Sequence, residues 1–152
     1  ADFAVVTTPL QAKKPLKSTS LMSFKEIAVG DHSFQGKEKP MRLKDLIENP
    51  LISLGQGSTT YEFYSKFFLE NDLVLSPDTE VETIDQVLPL IMNGLGIGFL
   101  PELFVRPVIE EGKVCQIPLK ENIPEREICL VENHTFPPSI AADMFKKMLV
   151  LK

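Results

Sequence analysis

Gly55-Gln56-Gly57-Ser58-Thr59 is the stretch of this sequence best equipped to hold a ligand. Glycines let a backbone come close to a bound group. A helix is predicted to begin at about Thr60, and a helix start offers N–H groups and a partial positive charge. The Ser58 and Thr59 hydroxyls add donors, so the chemistry on offer is recognition of a carboxylate or another small anion. Thr59 and Glu62 also stand at capping-box spacing, so a purely structural use as turn and cap is equally open. A phosphate-binding P-loop is excluded, because no lysine follows the glycines in the Walker arrangement. Thr83 and Gln86 repeat the capping-box spacing and mark a second helix start, at Ile84.

Other chemistry is thinly supplied. Gly94, Gly96 and Gly98 superficially match a dinucleotide fingerprint, but they follow a predicted helix and precede a strand, the reverse of the required order. They are expected to permit a helix end and close packing. There is no G-x-S-x-G elbow. Glu110 and Glu111 are adjacent on a predicted helix and so point apart, as a solvated face does. His32 and His134 lie in polar loop-like stretches without an evident nucleophile beside them, and no C-x-x-C or His-x-x-His spacing suggests zinc. No catalytic residue, metal or cofactor is expected.

The chain has 152 residues, enough for one ordinary domain or two small lobes. Its net charge is −5, without a lysine- or arginine-rich run beyond Lys13-Lys14 and Lys146-Lys147, so phosphate neutralisation on nucleic acid is not expected of it. Cys115 and Cys129 each fall inside an apolar strand-like run, which fits buried thiols in a reducing cytoplasm better than a disulfide framework. No apolar run approaches the roughly 20 residues of a membrane helix. Ala1 to Val6 lacks the basic region and apolar core of a signal peptide; as an apolar strand with nothing before it, it looks cut from something longer.

The elements that must position the loop alternate between strand and helix, which points to an α/β fold. Strands are predicted at 1–6, Leu16 to Met22, Phe24 to Val29, Leu51 to Leu54, Asp78 to Thr83, Ile97 to Leu100, Val114 to Leu119 and Glu127 to Val131. Helices are predicted at Pro40 to Asn49, Thr60 to Asn71, Ile84 to Met92, Leu103 to Glu111 (interrupted at Pro107) and from Pro138 onward. Tyr61, Tyr64, Phe67 and Phe68 form a buried stripe on one helix; Ile140, Met144, Phe145, Met148 and Leu149 form one on the last. Pro89 falls inside a helix and is expected to kink it. The strand-helix-strand unit from Asp78 to Pro101 organises the chain, since strand ends and helix N-termini of such crossovers are where ligands sit.

Taken in order, DFAVVT (2–7), LKSTSLMSFKEIAVGDHSF (16–34), RLKDLIENPLISL (42–54), GQGSTT (55–60), VETIDQVLPLIMNGLGIGFLP (81–101) and EGKVCQIPL (111–119) resemble the effector-binding region of LysR-type transcriptional regulators. The resemblance covers essentially the whole chain, and NGLGIGFLP is its most specific part. It implies a type II periplasmic-binding-protein-like fold: two α/β subdomains joined by two crossover segments, the first subdomain incomplete. Residues 1–22 and 135–152 would form subdomain I and residues 23–134 subdomain II, with the return crossing near Asn133 to Pro138.

The resemblance also implies function. A small, anionic co-inducer would bind in the cleft between subdomains, with Thr7, Gly55, Gln56, Gly57, Ser58, Thr59, Thr83, Ile84, Gly98 and Phe99 carried over by position. The protein would be a cytoplasmic, non-enzymatic homodimer or homotetramer through this domain. It would contact DNA only through a separate N-terminal domain preceding Ala1. A solute receptor of a transport system is the alternative, and an enzyme on the same two-lobed fold a third reading; convergent titratable groups would favour the latter.

Overall fold

Glu26–Gly30 (β3) is buried at every position, and that run fixes the larger half of the molecule. A strand covered on both faces needs neighbours on both edges and helices above and below. The computed structural model supplies them; it describes residues 3–10, 12–14, 16–133 and 139–150. The chain divides into two compact units, residues 25–125 and residues 1–24 with 126–152.

In the unit spanning 25–125, β3 is flanked by β6 (Ile97–Pro101) and β7 (Cys115–Ile117), both antiparallel to it. Beyond β6 lie β4 (Leu51–Leu54) and β5 (Thr79–Val81), with β4 parallel to both of its neighbours. The order is β5-β4-β6-β3-β7. One face of this sheet is covered by α1 (Leu43–Leu46) and α2 (Thr59–Glu70), with Ala28, Leu43, Leu46, Tyr64, Phe67 and Phe68 in the core. The other carries α3 (Ile84–Met92) and α4 (Glu102–Glu110), with Val29, Ile52, Val87, Ile91, Leu100 and Val105. The aromatic stripe of α2 is core, as its spacing predicted. Two glycines allow the tightest approaches: a methyl at Gly98 would sit 2.9 Å from Val87 Cγ1, and one at Gly96 2.5 Å from the Pro50 carbonyl oxygen.

Three sequence expectations shift here. The helix at 102–110 is not interrupted at Pro107, which lies inside α4; the helix continues despite losing one backbone bond. The strand expected over 78–83 shortens to Thr79–Val81, because Thr83 becomes the N-cap of α3. The break expected at Ser23 falls at Lys25.

In the other unit, β1 (Phe3–Thr7), β2 (Leu16–Phe24) and β8 (Arg126–Asn133) form an antiparallel sheet in the order β1-β8-β2, accompanied by α5 (Ile140–Val150). The sequence reading placed residues 127–131 in the other subdomain. Pairing of β8 with β1 and β2 overturns that and moves the second passage between units to 125–126, not 133–138. Helix α5 keeps only part of its expected stripe in contact. Ala142 is buried, Phe145 stacks on Phe3 at 5.5 Å and Lys146 pairs with Glu132 at 2.9 Å, whereas Ile140, Met144 and Met148 are exposed. His134 and the expected start of this helix at Pro138 lie outside the described residues.

Candidate functional site

The loop after β4 is built by its own side chains. Gly55 N–H donates to the Val81 carbonyl at 3.3 Å, continuing the β4–β5 pairing, and Gly57 turns the chain at φ +93°, a conformation that favours glycine. Ser58 then caps α2: its Oγ accepts from Tyr61 N–H and donates to the Gly55 carbonyl, both at 3.0 Å. The cap was expected at Thr59, which is instead the first helical residue and exposed. Gln56 is exposed, its Nε2 3.5 Å from the Tyr61 hydroxyl. At α3, Gln86 Oε1 accepts from the backbone N–H of Thr83 at 3.1 Å and of Glu82 at 2.9 Å, as the capping-box spacing predicted.

These two helix starts border one recess at the carboxyl end of β4. Ile52, Ser53 and Leu54 line it from the strand, Thr60 and Tyr64 from α2, Ile84 and Val87 from α3, with Glu26 and Phe99 completing the wall. Its free volume is about 20 Å³, room for about one water-sized group. It is too small to enclose a whole metabolite.

Of the expected residues, Ile84 and Phe99 line the recess. The 55–59 loop and Thr83 immediately adjoin lining residues along the chain without lining it themselves. Gly98 packs under α3, against Val87 and Ile91, and is not among the residues lining the recess. Thr7 belongs to the other unit, where its hydroxyl accepts from Arg126 Nη2 at 3.1 Å and Arg126 Nε donates to the Thr8 carbonyl at 2.9 Å.

Sequence reasoning missed Glu26 and the polar end of Tyr64. Glu26 is 5% exposed and Tyr64 3%. The Tyr64 hydroxyl donates to Glu26 Oε2 at 2.5 Å while its ring stacks on Phe99 at 4.6 Å. The available signal was a single carboxylate opening the apolar run Ile27 to Val29. Among the described residues, no three His, Cys, Asp or Glu side chains are grouped to hold a metal ion. No helix among them is long and apolar enough to cross a membrane.

Comparison with known proteins matches this architecture. A model of the LysR substrate binding domain matches residues 1–150. The HTH-type transcriptional regulator YwqM of Bacillus subtilis is 29% identical over 100 residues, covering 66% of this chain and 33% of its own length. The HTH-type transcriptional activator CmpR of Synechocystis sp. is 34% identical over 64 residues, covering 42% of this chain and 21% of its own. The chain thus spans about a third or less of these relatives. Among solved structures, the CcmR regulatory domain of Synechocystis in complex with 2-PG superposes with TM-score 0.83 at 15% identity, over 99% of this chain and 72% of that one. The QuiR effector-binding domain in complex with shikimate gives 0.83 at 18%, over 99% and 70%. These likenesses carry the fold, type II periplasmic-binding-protein-like α/β, and the family match carries membership: the chain belongs to the LysR substrate-binding domain family.

Proposed function

We propose that this chain is the effector-sensing part of a LysR-type transcriptional regulator, and that residues 25–125 contribute a seat for the acidic group of a small metabolite. The observation that carries the reading is that the first turns of α2 and α3 face the same recess, through Thr60 and Ile84. A helix start favours negative charge close to it, and two helix starts border this recess. Glu26, in the same wall, sets a negative charge beside the seat, so a hydroxy or amino acid fits better than a plain dicarboxylate. Contacts that differ between two arrangements of a regulator would then shift their populations. Both curated relatives are transcriptional regulators, which favours this over the transport receptor. Assembly as a homodimer or homotetramer in the cytoplasm, without enzymatic turnover and with DNA held by a separate domain, belongs to the same proposal.

Thermal unfolding in the presence of small hydroxy and amino acids tests it. A ligand at 100 times its Kd raises stability by about 2.7 kcal/mol. Thr60→Leu, which fills the recess, should abolish the shift while the variant remains folded by circular dichroism. A ligand whose shift survives Thr60→Leu and Thr83→Val binds elsewhere, and the recess is then not its seat.

A further inference from the structure

The recess at the carboxyl end of β4 has a wall that resists enlargement. Ile52, Tyr64 and Val87 are buried core residues from three different elements, β4, α2 and α3. Val87 is pressed close to Gly98, where a methyl would meet its Cγ1 at 2.9 Å. The Tyr64 ring stacks on Phe99 at 4.6 Å, and Phe99 meets the Phe68 ring edge-on at 6.1 Å. Forcing extra atoms between side chains interlocked in this way strains the whole core. The free volume of about 20 Å³ is therefore a set dimension, room for about one water-sized or methyl-sized group.

Its lining is mostly apolar. Leu54, Ile84 and Phe99 join Ile52, Val87 and the Tyr64 ring. Of the polar members, Ser53 donates its hydroxyl proton to the Leu54 carbonyl at 2.9 Å, and Tyr64 donates to Glu26. Small apolar voids stay dry and take up apolar groups. The Glu26 charge disfavours a carboxylate inside the recess, while the helix starts favour one at its border. The acid and the group that fills the recess are thus different parts of one ligand.

We infer that the recess measures the side group of the ligand: it accepts a methyl beside the acid and rejects an ethyl, with Ile84 and Val87 as the specificity-determining residues. The inference rests on the seat proposed above and narrows its ligand to a short 2-substituted acid of the alanine or lactate kind. Burying one methyl group improves affinity about fourfold. A further methylene that a rigid pocket cannot hold is discriminated against by about 10- to 200-fold.

Affinities from the concentration dependence of the thermal midpoint of the 152-residue chain test it, with glycine, alanine and 2-aminobutyrate as one series and glycolate, lactate and 2-hydroxybutyrate as the other. Alanine and lactate should bind about fourfold tighter than glycine and glycolate, and at least about tenfold tighter than the four-carbon acids. Removing wall atoms at half-buried Ile84, as Ile84→Ala, should move the preference to the four-carbon acids. Val87→Ala should do the same, and circular dichroism establishes that each variant is folded. If Thr60→Leu abolishes binding but affinity rises steadily with chain length, or the preference is unmoved in both variants, the inference falls and the seat stands. Binding that survives Thr60→Leu, or no midpoint shift from any of these acids up to about 50 mM, overturns the seat and the inference together.

Discussion

Tyr64→Phe isolates one oxygen atom in a buried, charged contact. Tyr64 is 3% exposed and Glu26 5%, and the hydroxyl donates to the carboxylate at 2.5 Å. Phenylalanine keeps the ring stacked on Phe99 at 4.6 Å and edge-on to Phe63 at 5.0 Å, so apolar packing is unchanged. What is lost is a hydrogen bond to a charged group, about 1.5–3 kcal/mol. We take about 2 kcal/mol, which for a chain of this size lowers the thermal midpoint by about 4–8 °C. The chain has no tryptophan, so urea and thermal unfolding should be followed by far-ultraviolet circular dichroism. A cycle with Glu26→Leu then assigns the loss. In that background Tyr64→Phe should cost close to nothing, giving a coupling of about 2 kcal/mol. A midpoint shift below about 1 °C, or costs that simply add, would refute the contact as an energetic unit.

Three further outcomes follow from local geometry. Ser58→Ala should cost about 1 kcal/mol by removing the α2 cap, while Thr59→Ala, which leaves that cap in place, should cost less; urea midpoints separate the two. Gly98→Ala places a methyl 2.9 Å from a movable valine side chain and should cost about 1–3 kcal/mol. Gly96→Ala strikes the Pro50 backbone at 2.5 Å and should cost more, with loss of soluble expression as the extreme. Burial pushes the Cys129 thiol above its ordinary pKa, with Glu127 adding to the effect. Its contribution to stability is therefore intact below the unfolded thiol's pKa and is lost as pH rises through the folded one. At pH 8 a thiol reagent should modify half-buried Cys115 promptly and Cys129 only on unfolding.

Much of the larger unit was legible because its signals are local. Leu51–Leu54 is a strand where the apolar run between Pro50 and Gly55 placed it, and the α3 capping box and glycine packing followed from spacing alone. The α2 cap was read one residue late, because Ser58 and Thr59 both offer a hydroxyl and only the turn at Gly57 decides between them. The contacts of α5 were legible only in part, for a different reason. Of the expected stripe, Phe145 does make contact, stacking on Phe3, but Ile140, Met144 and Met148 are exposed, and the other contacts come from Ala142 and Lys146, the latter through an ion pair that periodicity does not encode. Strand β8 was assigned to the wrong unit since its partners, β1 and β2, are more than a hundred residues away along the chain. The Glu26–Tyr64 contact, 38 residues apart, is of the same non-local kind.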